Sequence, residues 1–495
     1  MKILLNWVRK PQDPDLAPVF SALTAHGHRV IYWVGSDLAE KTIPEGAVFH
    51  SYRDALEARP ASGIDASAFP PPSGDFLKKL SPVESVTLTM MNLGFDRAPV
   101  DKRKDLYYEM VRYWRGILSH YTPDAIVFPN MPHHSYDYVL YEIAKLSGIR
   151  TVLFDDTRFP GRLLPFTDFD RLTALLRQEI QNNRGKMFSL NDLSEDIRKY
   201  YEPRAQSDYA QVPSYITDLK RKRSFHWSFP WSAARAALRD GSALRKAVPY
   251  ARFVFRVKGG ELVRRLYTHT SYPGVPDLLK EYESVASSPD LTRNFVYVPL
   301  QKQPERSTSP QGGVFVDQIL ALRTLSAALP EGWVIYAKEH PVQWVHFGIR
   351  FSSFRYRGYY ETIARIPNVR IIPHGTNSYQ LINRARCVSA VTGSAGWEAA
   401  LRGIPSVVFG AVWYQDCPGV CKVGSVDDCQ HALAAIRSGV SPDRQALIKY
   451  LVSFDRATIR AFISPSAGKA STVGRDECMQ NIGAAIVRVL AQTES

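Results

Sequence analysis

The sequence predicts an α/β protein of two Rossmann-like lobes, parallel sheets with crossover helices that face each other over a cleft, joined by a helical insertion. Three observations lead there. Short apolar runs alternate with amphipathic helical runs from residue 2 to 154 and again from 294 to 438, the pattern of strand–helix–strand units in a parallel sheet. Between them, over 172–291, the alternation stops and helical stretches with basic runs take over. In both alternating regions polar clusters stand directly after apolar strands, where open α/β sheets collect their ligands. The expected borders are 1–171 for a first Rossmann-like lobe, 172–291 for a basic helical insertion, 292–440 for a second Rossmann-like lobe and 441–495 for C-terminal helices.

In the first lobe, 2–8 reads as a strand, 16–26 as a helix stopped by Gly27, and 30–34 as a strand closed by Gly35. Residues 58–74, rich in Pro, Ala, Ser and Gly, read as a surface loop. Leu106, Met110, Tyr113 and Ile117 fall on one stripe of a helix over 102–121. A strand over 124–129, a helix over 136–146 ended by Gly148, and a strand over 150–154 follow. In the second lobe, strands are expected over 295–300, 333–338, 369–372, 388–391 and 406–409. Helices are expected over 315–329, 378–383, 396–401 and 426–438, with two or three more in the tail.

A chain of 495 residues, 45% hydrophobic and 22% charged, can bury a large core without disulfides or metals. Its five cysteines form an odd, irregular set that fits a reducing compartment. Cys417-x3-Cys421-x7-Cys429 lacks the paired C-x2-C knuckles of a zinc site, so no metal is expected. The apolar run at the N-terminus is too short for a signal-peptide core, and no stretch reaches the ~18 uncharged apolar residues of a membrane span. The expected location is the cytoplasm, with peripheral contact to the inner membrane at most. A net charge of +14 favours anionic partners. No nucleic-acid motif accompanies it, so nucleic acid is not an expected partner. The basic run at 220–223 beside Trp227 and Trp231 fits an anionic membrane surface; the plainer alternative is a solvated face.

The second lobe supplies the sharpest candidates. Gln301 to Thr308 follows a strand and holds Lys302 and Arg306, side chains able to clamp a phosphate. Lys338-Glu339-His340-Pro341 ends the next strand; the proline restricts the histidine backbone, and the imidazole can donate to a phosphate or ribose oxygen. Thr392-Gly393-Ser394-Ala395-Gly396-Trp397-Glu398 leads from a strand into a helix, whose free N–H groups suit an anion. The same run also reads as a capping box on Ser394. Its spacing is not that of a P-loop. The loop 410–418, with Trp413, Tyr414 and Asp416, lines a pocket or packs on the core. In the first lobe, Pro132-His133-His134-Ser135-Tyr136-Asp137 and Asp155-Asp156-Thr157-Arg158 follow strands. His133, Asp137 and Asp155 are the candidate general bases for an acceptor hydroxyl, and turn capping is the plainer reading of the Asp155-Asp156 pair.

At these residues the chain resembles the bacterial capsule and surface-polysaccharide biosynthesis proteins. The residues that carry the resemblance are Gln301-x-Gln303-Pro304-Glu305-Arg306-Ser307-Thr308, Lys338-Glu339-His340-Pro341, Thr392-Gly393-Ser394-Ala395-Gly396-Trp397-Glu398-Ala399 and, in the first lobe, Pro132-His133-x3-Asp137-x2-Leu140-Tyr141. The family implies a GT-B fold and a metal-independent transfer of sugar from a nucleotide donor, the donor being a substrate and no cofactor being needed. The His-Pro pair followed by a hydroxyl motif is also similar to the nucleotide site of CMP-sugar users, the bacterial sialyltransferases and capsular Kdo transferases. The resemblance implies a donor site of Gln301, Arg306, Lys338, Glu339, His340, Pro341, Thr392, Gly393, Ser394 and Glu398, and a glycan or lipid-linked acceptor. Where the Kdo transferases have an acidic-Gly pattern, Asp155-Asp156-Thr157 has no glycine. A CDP-polyol phosphotransferase and a non-catalytic glycan-binding subunit of a capsule complex are the alternatives.

Overall fold

The computed structural model describes residues 1–8, 15–36, 43–95, 98–157, 159–206, 278–303, 305, 308–341, 343, 355–463 and 465–492. Two sheets organise them. The first contains β1 (Lys2–Asn6), β2 (Arg29–Gly35), β3 (Val48–Ser51), β4 (Ala125–Val127), β5 (Arg150–Asp156), β6 (Arg162–Phe166) and β13 (Ile459–Arg460), in the order β13-β6-β5-β4-β1-β2-β3. The second contains β7 (Phe295–Pro299), β8 (Val334–Lys338), β9 (Val369–Ile371), β10 (Cys387–Ala390), β11 (Ser406–Val408) and β12 (Val420–Lys422), in the order β12-β11-β10-β7-β8-β9. Every pairing in the second sheet is parallel. Its central strands β7, β8, β10 and β11 are buried on both faces, which is why they read as unbroken apolar runs rather than alternating ones.

Most expected strands and helices are present, with shifted ends. The 315–329 helix begins only at Gln318, because the Asp317 carboxylate caps it by accepting from Ile319 N and Leu320 N at 3.0 and 3.4 Å. Strand β5 runs on through Asp156, so Asp155 and Asp156 lie within a strand, opposite Leu164 and Leu163. Strands β3, β6, β12 and β13 were not expected. Strand β6 hides behind Pro165, a residue that argues against a central strand; here it lies in an antiparallel pair with β5. A helix over Ser81–Met90, entered through Pro82, was missed as well.

The end of the chain, from β13 onward, belongs physically to the first lobe. Strand β13 pairs with β6, and the Arg475–Ala491 helix lies against the Ala17–Ala25 helix. The two approach so closely at Gly483 that a Cβ there would stand 2.8 Å from the Ala22 Cβ. Met479, Ile482 and Ile486 share one apolar cluster with Ile3, Leu5 and Trp33. Of the expected 172–291 insertion, the helices Ala174–Asn182, Glu195–Arg204 and Leu278–Val285 are described; the basic and aromatic runs at 220–223, Trp227 and Trp231 lie outside the described residues.

Polar and aromatic contacts join the lobes. Arg162 is nearly buried and ion-paired to Asp196 and Asp455, both at 2.7 Å. Burial pushes the Asp196 carboxyl up, but the Arg162 guanidinium outweighs it and holds the group at about 2. Phe159 packs on Trp397, Trp413 and Phe454, so a first-lobe side chain fills a second-lobe aromatic cluster. Two Rossmann-like lobes with the chain end returned to the first give a GT-B-type architecture. No described helix is long and apolar enough to cross a membrane.

Candidate functional site

The second sheet brings its polar segments together because β10, β7, β8 and β9 are parallel neighbours. Their carboxyl ends therefore open on one edge, and each is followed by one of the polar clusters. After β7, Gln301 is fixed from two sides: its N–H donates to Gln318 Oε1 at 2.6 Å, and its carbonyl accepts from Gln318 Nε2 at 3.0 Å. The Thr392 hydroxyl, after β10, donates to Gln301 Oε1 at 2.9 Å. Gly393 lies so close that a Cβ would come 2.8 Å from Gln301 Nε2, so a larger residue there would push the Gln301 amide aside. Gln303 and Gln343 exchange two hydrogen bonds, at 2.8 and 2.9 Å, and tie the loop after β7 to the one after β8.

Lys338, the last residue of β8, is buried. Its ammonium donates to Thr376 O at 2.5 Å and to the Ser378 hydroxyl at 2.8 Å. No carboxylate pairs with it among the described residues, and burial lowers its pKa to about 8. A buried cation held by neutral oxygens is an electrostatic vacancy for an anion. His340, two residues on, is pushed down to about 4, chiefly by burial, and is therefore a neutral imidazole at pH 7. His374 follows β9 and is lowered by burial and by the Lys338 charge.

Glu339 has a different place. Its carboxylate is fully buried, ion-paired to Arg355 Nε at 2.7 Å and accepting from the Tyr360 hydroxyl at 2.6 Å. Arg355 Nη2 also donates to the Gln301 carbonyl at 3.0 Å. Glu339 thus braces the loops around the edge. Ser394 stands at the N-cap of the Ala395–Ala400 helix, but its hydroxyl donates to Glu398 Oε1 at 3.2 Å instead of capping the backbone. In the loop 410–418, Trp413 is buried against Trp397 at 4.7 Å, and Asp416 pairs with Arg177 at 2.9 Å. That loop packs on the core, with the Tyr414 hydroxyl donating to Gly393 O at 2.5 Å. Pro341 follows His340 in the same turn; Arg306 lies outside the described residues.

In the first lobe, β4 leads into the Ser135–Leu146 helix. Asp137 is buried and caps that helix, accepting from His134 N at 2.8 Å. Its other oxygen lies 3.1 Å from His134 Nδ1. A carboxylate at that nitrogen places the proton on Nδ1 and the lone pair on Nε2, the tautomer of a general base. His133 donates from Nδ1 to Met131 O at 2.8 Å, and its ring lies 4.2 Å from that of His134. His133, His134 and Asp137 each offer a ligand atom within 4.8 Å of the others, the one group among the described residues close enough to share a metal ion. Asp155, on the neighbouring strand β5, lies toward the same carboxyl edge.

Sequence reasoning passed over three residues. His134 sits three positions before Asp137, a capping-box spacing that could have singled it out. His374 follows a strand, so the strand-end rule applied to β9 finds it. Arg355 has no local signal, since its partner Glu339 is sixteen residues away.

Residues 283–456 match the family described as "Capsule polysaccharide biosynthesis protein". Among solved structures, the chain aligns with a β-Kdo 2,4 transferase, KpsC of Thermosulfurimonas dismutans, at 12% identity over 67% of this chain and 79% of that one, TM-score 0.28. It also aligns with the UDP-GlcNAc 2-epimerases of Neisseria meningitidis (10% identity, 99% of each chain, TM-score 0.24) and Methanocaldococcus jannaschii (11%, 99% of each, TM-score 0.22). No curated protein matches the chain. Likenesses of this order say nothing about what the chain binds. Residues 283–456, a stretch that contains every strand of the second sheet, are thus similar to the capsule polysaccharide biosynthesis protein family.

Proposed function

We propose that the chain is a glycosyltransferase of surface-polysaccharide synthesis, moving a sugar from a nucleotide-activated donor to a glycan or lipid-linked acceptor. The observation that carries this reading is Lys338: a buried ammonium at a shared strand edge, held among the described residues by neutral oxygens. The leaving nucleotide of such a reaction gains negative charge on its phosphate, and a pre-placed cation stabilises that charge as it develops. Neutral His340 supplies a directional hydrogen bond beside it, and the Thr392 and Ser394 hydroxyls can do so by turning from Gln301 and Glu398. The resemblance of His340-Pro341 and Thr392-Gly393-Ser394 to the site of CMP-sugar users makes cytidine the favoured base.

Across the lobes, an acceptor hydroxyl must lose its proton as the bond to the sugar forms. Among His133, Asp137 and Asp155, the buried Asp137 serves best by orienting a neighbour, and His134 Nε2 becomes the base. Neither step requires a metal ion. The acceptor is lipid-linked on this reading, and the basic run at 220–223 meets the membrane that carries it.

A thermal-shift screen against CMP, CDP, UDP and GDP tests the donor half, because bound ligand raises stability by mass action. A shift with one nucleotide, followed by sugar transfer from its activated sugar, is the expected result. No shift with any of them favours the non-catalytic glycan-binding subunit, and incorporation of label from CDP-glycerol favours the polyol phosphotransferase.

A further inference from the structure

We propose that the first lobe carries a second binding site, for a small soluble amphiphile with an anionic head, at the opposite edge of its sheet from the candidate catalytic residues. A cavity of about 170 Å³ opens between the start of β5, the end of β6, the segment after β6 and the end of the last helix. Because β6 runs antiparallel to β5, those two strand ends lie together at the amino edge of the parallel sheet. Arg150 begins β5 and Asp155 stands near its far end, a separation of about 16 Å at roughly 3.3 Å per residue. The cavity is therefore distinct from the site at the carboxyl edge.

Its chemistry is two-sided. Most of the wall is apolar, with Val152, Phe166 and Leu490 buried and Leu175 half-buried, and Thr151, Thr167 and Gln492 add polar atoms to it. A cavity of comparable size lined by apolar residues takes up a benzene ring, so there is room for a ring or for a chain of about six carbons. The rim is cationic. Arg150 Nη1 donates to Leu490 O at 3.0 Å, which fixes its guanidinium beside the chamber. Arg171 is exposed at the same rim. The acids nearest to it in sequence are already committed, Asp168 and Asp170 both pairing with Lys145, at 2.8 and 3.0 Å. Neither arginine has a carboxylate partner among the described residues. Two guanidinium groups beside an apolar chamber fit a carboxylate or phosphate on a short hydrophobic body.

Calorimetric titration of the full chain with octyl phosphate, octanol and inorganic phosphate separates the two halves of the site. Octyl phosphate is expected to bind at least tenfold more tightly than either half alone. Arg171→Glu reverses the rim charge, and Ala174→Trp, at an exposed position of the lining, blocks the mouth. Each is expected to weaken octyl phosphate at least tenfold while nucleotide binding stays unchanged. The proposal is overturned if octyl phosphate binds no better than octanol and phosphate, or if both variants bind it as the parent does. Nucleotide binding reports on the other edge of the fold, so failure here is distinguishable from failure of the glycosyltransferase reading.

Discussion

Glu339 and Arg355 face each other at 2.7 Å with side chains no more than 2% exposed. Burial alone would raise the Glu339 carboxyl, but the Arg355 charge and the Tyr360 hydroxyl outweigh it and hold its pKa below the usual range. Removing one member leaves the other charged and buried, at a cost on the order of 3–5 kcal/mol. Arg355→Met is therefore expected to lower the urea midpoint strongly, and Glu339→Leu in the same chain to restore much of the loss. If Arg355→Met alone leaves the midpoint unchanged, the pair does not brace the loops.

Lys338 predicts a pH dependence. Its folded pKa is lowered by burial from 10.5 to about 8. Between those values the unfolded chain holds a proton that the folded chain has released, so stability rises with pH through that window. Lys338→Met should flatten this rise. A bound phosphate works the other way, since it favours the ammonium. Nucleotide binding at pH 8.5 is thus expected to take up protons and to weaken as pH climbs, a result read from calorimetry in buffers of different ionisation enthalpy. Binding that takes up no proton would remove Lys338 from the phosphate.

His340 should behave as a neutral group, because burial lowers it to about 4. His340→Ala is expected to abolish nucleotide binding while the far-ultraviolet spectrum and the unfolding midpoint stay close to the parent's. Between pH 5.5 and 7.5 the parent's affinity should not follow an imidazole titration. An unchanged titration of the nucleotide by the variant would sink the assignment.

The strand edges were legible in the sequence because both sheets are mostly parallel: apolar runs followed by polar clusters mark carboxyl ends directly. That rule located Gln301, Lys338, His340 and Thr392, which the fold brings to one edge. It could not separate Lys338, whose ammonium keeps an unneutralised charge, from Glu339, whose carboxylate is consumed, because Arg355 and Tyr360 reach Glu339 through tertiary structure alone. Strand β6 was hidden by Pro165, and β13 by its length of two residues. The return of the C-terminal helix to the first lobe depends on packing of Gly483 against Ala22, which no local pattern announces.

The His134–Asp137 pair yields the test of the acceptor half. Asp137 does two things: it caps the helix through His134 N, and it orients the His134 ring through Nδ1. Asp137→Asn keeps an acceptor for the cap, so stability should change by less than the roughly 1 kcal/mol of a lost cap. The amide cannot stabilise an imidazolium as a carboxylate does, so kcat should fall about 10²–10⁴-fold, the range of general-base catalysis. His134→Ala should lose a similar factor, with donor affinity unchanged in both variants, whereas Asp155→Asn should lose less. Chelator-treated protein should retain full activity. Should chelation abolish transfer and added divalent metal restore it, with His133→Ala and His134→Ala both losing the metal, the cluster is a metal site and the base lies elsewhere. A purely structural role for Asp137 would lower the unfolding midpoint and leave kcat in place, the opposite of what the carboxylate–imidazole contact requires.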